Sequence, residues 1–114
     1  MANTYRRFIQ TELASASLTD VITVTAGTTA IVKSVIVSND DAAVTASITM
    51  SVAPSGSGTL TIEPAKDLLP KTSEDLLSNK GPLVLQSTDV LKVKGTGGSP
   101  NVDVVASALL VDRN

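Results

Sequence analysis

The sequence predicts an all-β protein, a single antiparallel β-sandwich of jelly-roll type with about eight short strands. Three observations lead there. Apolar residues recur with a period of two, not the roughly 3.6 of a helix. Gly, Pro, Asn and Asp punctuate the chain at intervals of roughly 8–12 residues. No stretch reads as the long crossover helix that parallel strands require. The 114 residues suit one domain, and no repeat divides them.

Val44 to Val52 is the clearest strand. Val44, Ala46, Ile48, Met50 and Val52 alternate with Thr45, Ser47, Thr49 and Ser51. The first set is expected to face inward and the hydroxyl set outward. Arg7 to Ala14 alternates weakly, with Phe8 and Leu13 as anchors, and residues 1–6 before it read as an N-terminal arm. Asp20 to Thr25 is a short strand around Val21, Ile22 and Val24. The turn Ala26-Gly27-Thr28-Thr29 follows, where Gly27 takes a positive φ without steric cost.

Ala30 to Ser38 carries Ile31, Val32, Val35, Ile36 and Val37, so apolar groups fall on both faces. That places it centrally or at a subunit contact. Asn39-Asp40-Asp41 is a turn signal and predicts a hairpin with Val44 to Val52. Pro54 to Gly58 reads as a mobile loop tip. Thr59 to Glu63 reads as a strand ended by Pro64. Between Pro70 and Gly81-Pro82, Ser73 is placed to cap a short helical turn, with Glu74 and Asp75 favouring its start. Pro82 to Gln86, Val90 to Lys94 and Val102 to Val111 complete the strands, the last two joined by the flexible loop Gly95 to Asn101.

The chain holds no His and no Cys. Ser–His–Asp and Cys–His catalysis are therefore excluded, and zinc and copper lose their usual ligands. Gly95-Thr96-Gly97-Gly98 is glycine-rich but opens no helix, which removes the phosphate-cradling reading. Carboxylates are the remaining reactive groups. Asp40 and Asp41 either bind turn backbone or offer oxygen to calcium, although EF-hand spacing is absent. No catalytic, metal or cofactor site is expected. A net charge of -2 with no basic stripe gives no expectation of nucleic acid. Neither a signal-peptide apolar run nor a stretch of roughly 20 apolar residues is present, so no membrane span is expected.

With one Phe, one Tyr and no Trp, the core must be built from Val, Ile, Leu and Ala. Such a core is modest, and contacts between subunits would supplement it. Tyr5, Arg6, Arg7 and Phe8 form the candidate docking or subunit-contact group. Phe8 reads as a core or interface anchor, while Tyr5 with its two arginines reads either as a docking arm or as part of a disordered tail.

The run Val21-Ile22-Thr23-Val24-Thr25-Ala26-Gly27-Thr28-Thr29-Ala30-Ile31-Val32-Lys33-Ser34-Val35-Ile36-Val37-Ser38-Asn39 resembles a segment of small β-sandwich structural proteins of tailed bacteriophages. Leu83-Val84-Leu85-Gln86-Ser87-Thr88-Asp89-Val90-Leu91-Lys92-Val93 resembles a second segment, with Thr88 where those proteins usually carry Gly. The resemblance covers about half the chain, in turn-and-strand patterns. It implies a virion protein without an active site, assembled in a bacterial cytoplasm. The leading expectation is a capsid decoration (cement) protein that forms a homo-oligomer, a trimer by analogy with decoration at threefold positions, and docks on the major capsid protein or other virion proteins. A neck, collar or tail component is the alternative inside that class. A carbohydrate-binding module is the rival outside it, and a carboxylate-pair hydrolase the weakest.

Overall fold

In a computed structural model the chain is described over residues 3–11, 18–41, 43–54, 58–78, 80–96 and 102–112. None of these residues is helical. The strands are β1 (Asn3–Gln10), β2 (Thr19–Thr23), β3 (Thr28–Asn39), β4 (Ala46–Ala53), β5 (Leu60–Leu68), β6 (Thr72–Asp75), β7 (Leu83–Leu85), β8 (Val90–Thr96) and β9 (Val102–Asp112). They form two sheets. One runs β1-β9-β3-β6, with β7 also on β3; the other runs β2-β8-β4-β5. Every pairing is antiparallel.

The pairings nest. β4 pairs β5, β3 pairs β6 and β7, β2 pairs β8, and β1 pairs β9. The chain is thus one long hairpin folded across itself, and the lateral pairs β3:β9 and β4:β8 knit the fold into two sheets. This is the strand order of a jelly roll. It overturns the expected hairpin of Ala30–Ser38 with Val44–Val52: β3 and β4 lie in different sheets. Asn39-Asp40-Asp41 carries the chain from one sheet to the other.

The side chain of Asn39 holds that corner. It is 2% exposed. Its Nδ2 donates to Val44 O at 2.9 Å and to Leu68 O at 3.0 Å, and its Oδ1 accepts from Asp41 N at 3.0 Å. One amide therefore ties the ends of β3 and β5 to the intervening loop, with both donors used. Asp41 Oδ1 accepts from Ala43 N and Val44 N, the local turn bonding that the sequence offered for it.

The core lies between the sheets. The five-stranded sheet contributes mostly small residues, among them Ala30, Val32, Val35, Val37, Ala106 and Ala108. Larger Ile22, Ile48, Met50 and Leu91 come from the other sheet. Large against small fills a thin aliphatic layer without aromatics. Ala46, Ile48, Met50 and Val52 face inward as their alternation predicts; Val44 does not, since it precedes β4 and is 38% exposed.

Several local expectations are corrected. Asn3–Arg6, read as an arm, lie within β1 and pair Val111–Ala108 of β9. β5 continues through Pro64 to Leu68. Ile48 pairs Lys66 and Met50 pairs Glu63, so Pro64 and Ala65 together oppose Thr49 in a bulge on an edge strand. There a missing N–H costs no ladder bond. Ser73 caps no helix: Thr72–Asp75 is strand β6, paired with β3. β7 pairs Ala30–Val32 and β6 pairs Ile36–Asn39, leaving residues 33–35 of β3 uncovered on that side. The gap is closed by Asp75 Oδ1, which accepts from Val35 N at 3.1 Å, and by Leu76 N, which donates to Val35 O at 2.8 Å. Leu76 and Leu77 then plug the core edge. The expected mobile tips fall mainly on 55–57 and 97–101, and the end of the Arg7–Ala14 strand on 12–14; all lie outside the described residues, as do Met1 and Ala2.

Gly27 has φ 82°, as its turn requires. Thr88 has φ 67°, in the left-handed region that favours glycine. A β-branched residue therefore sits in an unfavourable region, which costs about 1–2 kcal/mol. Thr88→Gly should raise the unfolding free energy by about 0.5–1 kcal/mol, the gain being partly offset by glycine's greater freedom in the unfolded chain. Asn39→Ala should lower it by about 3 kcal/mol, because it strips two carbonyls of their buried donor. Urea denaturation of each variant reads both, with unchanged slope.

Candidate functional site

The two outer faces of the sandwich differ in chemistry, and the difference begins in β3. Val32 pairs Ala108, and Ser34, not Lys33, pairs Ser107. This bulge puts two consecutive residues, Lys33 and Ser34, between the buried Val32 and Val35. Ala30, Val32, Val35 and Val37 all turn inward as a result. Ile31, Lys33, Ser34 and Ile36 are left on the outer face.

Cross-strand register assembles that face into rows. Tyr5, Leu109, Ile31 and Val84 are successive neighbours across β1, β9, β3 and β7. Ile9, Val105 and Ile36 make a parallel row, with Asp75 at its end. Between them run Arg7, Ser107 and Ser34, with Lys33 added by the bulge. Tyr5 is 76% exposed, Val84 56%, Ile9 49% and Ile36 43%. Among the described residues, half of the conspicuously exposed large hydrophobic side chains thus share one sheet face. Scattered single exposures need no explanation, but an apolar row running across four strands makes this face the candidate contact surface.

A depression of about 390 Å³ lies in this face, lined by Tyr5, Arg6, Arg7, Lys33, Ser107 and Ala108. Small residues of β9 floor it; long side chains from β1 and β3 wall it. A second depression of about 250 Å³ lies by Thr4, Arg6, Thr25, Thr28, Leu110 and Asp112.

The opposite outer face, on the four-stranded sheet, is polar. Asp20, Lys92, Ser51 and Thr61 form one row across it, in which Ser51, expected to face solvent, is covered by its neighbours to 2% exposure; Thr96, Ser47 and Asp67 form another. Lys92 Nζ reaches Asp20 Oδ1 at 2.6 Å. Hydroxyls and ion pairs of this kind are at home in water.

The four residues singled out from sequence divide between the two sides of β1. Tyr5 and Arg7 join the outer face. Arg6 stacks over the Phe8 ring, 4.8 Å from its centroid, and Phe8 packs against the core. Phe8 is therefore a core anchor at the sheet edge. Sequence reasoning missed Lys33, Ser107 and the two apolar rows as parts of one surface. The signal was the break in alternation at Lys33-Ser34, whose meaning depends on pairing with β9. Among the described residues no three His, Cys, Asp or Glu side chains gather as a metal site; Asp40 pairs Lys71 at 3.0 Å.

Comparison with protein-family models and with curated proteins finds no match to this chain.

The face assignment has a direct consequence. Ile36→Thr and Val84→Thr keep β-branching and alter only the outer surface, so each should change the unfolding free energy of the isolated chain by less than about 0.5 kcal/mol. Val37→Thr, one residue along β3 but inward, should cost about 2 kcal/mol by burying a hydroxyl. Urea denaturation of the three variants measures the contrast.

Proposed function

We propose that this protein is a non-enzymatic structural module whose work is to cover and be covered: a bacteriophage virion protein of the capsid decoration type, which self-associates and docks on the head. The observation that carries the reading is the outer face of the five-stranded sheet, where two apolar rows flank a cationic one. A surface of this composition, with Tyr and Arg among aliphatic side chains, has the make-up of a protein interface. The aromatic-poor sandwich and the phage-like segments around Gly27 and Thr88 support the virion setting.

Size sharpens the reading. Four strands at about 4.8 Å spacing and some seven residues at about 3.3 Å give a projected face of roughly 450 Å². A standard interface takes about 800 Å² from each partner. One such face holds weakly, whereas a symmetric oligomer presenting several copies to a repeating lattice holds firmly through avidity. A trimer on threefold lattice positions fits that arithmetic.

Light scattering at micromolar concentration should give the mass of three copies, and a strictly monomeric mass would overturn self-association. Cryo-electron microscopy of the parent particle should place density over capsomer junctions. Density confined to the neck or tail would replace decoration with the neck, collar or tail reading.

A further inference from the structure

The charges on the docking face are unbalanced in an informative way. Lys66, Lys71, Lys80 and Lys92 each lie within 3.2 Å of a carboxylate. Arg7 and Lys33 have no carboxylate within ion-pair distance among the described residues, yet they wall the same depression, with Arg6 bordering it. The protein as a whole is acidic, with a net charge of -2. Arg6 and Lys94 likewise have no such carboxylate among the described residues, but Lys94 lies on β8 of the other sheet, whereas Arg7 and Lys33 come together between the apolar rows of one face.

Seven of the chain's eleven carboxylates are engaged with other groups. Asp20, Asp40, Glu63 and Glu74 are held by lysines. Asp75, Asp41 and Asp89 accept backbone N–H groups. A second copy laid face to face about a two-fold axis through the depression would oppose cations to cations, which is destabilising. The edge strand β1 carries the same guard, because antiparallel self-pairing centred on Arg6 and Arg7 would stack arginines against each other.

We propose that the outer face of the five-stranded sheet docks a different protein whose surface presents carboxylate side chains between apolar ones, with Arg7 and Lys33 as the carboxylate seat and Ser107 as a hydroxyl donor in its floor. The proposal rests on the reading of this face as a docking surface and names the partner's chemistry. Arg7 supplies a planar fork suited to a carboxylate, and Lys33 supplies a mobile point charge. The apolar rows exclude water around the pairs, which raises their worth above that of exposed ion pairs. Self-association then uses other surfaces and leaves this face free to meet the partner.

The test uses the full chain, labelled with ¹⁵N, and a blocked hexapeptide alternating glutamate and valine, with glutamine and lysine versions as controls. The glutamate peptide should shift the amides of Arg7, Lys33 and Ser107. The double variant Arg7→Glu/Lys33→Glu should bind it at least about fivefold more weakly and take up the lysine peptide instead. Arg7→Gln/Lys33→Gln, which removes charge alone, should weaken glutamate binding without gaining lysine binding. Preserved amide dispersion verifies folding of each variant. Equal binding of the glutamate and glutamine peptides would overturn the carboxylate seat while leaving the docking face standing. Shifts confined to the four-stranded sheet would overturn both. A short DNA duplex binding the same amides more tightly than the glutamate peptide, or a change of oligomer mass in the charge-reversed variant, would assign the face to a polyanion or to a second copy and end the proposal.

Discussion

In β3 two consecutive side chains, Lys33 and Ser34, face the same side of the sheet, and the rest of the molecule is arranged around that break in alternation. A strict period of two would have sent Ser34, Ile36 and Ser38 inward with Ala30 and Val32. The bulge instead gives the core Val35 and Val37. Since β3 pairs β9 on one side and both β6 and β7 on the other, its phase sets the inward set of half the sandwich. The same shift puts Ser34 and Ile36 outside, on the face that Ile31 and Lys33 already share. The core and the proposed docking face both carry the mark of one irregularity, which accords with bulges being used to re-aim side chains.

A second economy lies in how polar groups close the places where regular pairing stops. β6 and β7 share β3 as a partner but leave a gap between them, and the Asp75 carboxylate fills it by accepting from Val35 N and Leu77 N. Asn39 does the same at the corner between sheets. Around Thr88, Val24 N donates to Asp89 O and Val24 O accepts from Thr88 N, which fastens the end of β2 to the start of β8. Buried backbone groups need such partners. A thin aliphatic core leaves little surplus stability with which to carry unmet ones.

The chemistry of the outer faces connects this architecture to assembly. Water solvates the exposed hydroxyls and ion pairs of the four-stranded sheet at no loss. It gains nothing from Tyr5, Leu109, Ile31 and Val84 in a row, so covering them is favourable at about 25 cal/mol per Å² before ordering costs. The cations between the rows add direction to that non-directional drive. The partner proposed for this face would have to match their spacing and sign, which turns general stickiness into selectivity.

Much of the sandwich was legible in the chain because local patterns carried it: the alternation in Ala46–Val52, the positive φ of Gly27, the aliphatic core and the two-faced character of Ala30–Ser38. Those features depend on neighbours within a few residues. The absence of His and Cys likewise bounded the chemistry from composition alone. What the tertiary structure decided were the long-range matters. Asn39-Asp40-Asp41 carries the same turn residues whether it closes a hairpin or crosses between sheets, and only the pairing of β4 with β8 distinguishes them. Pro64 ends a central strand but not an edge strand with a bulge, and edge position is a property of the whole sheet. The candidate site belongs to this second class. Tyr5, Lys33, Val84 and Ser107 are distant in sequence and meet because register across β1, β9, β3 and β7 aligns them, and register is fixed by the burial of the opposite face.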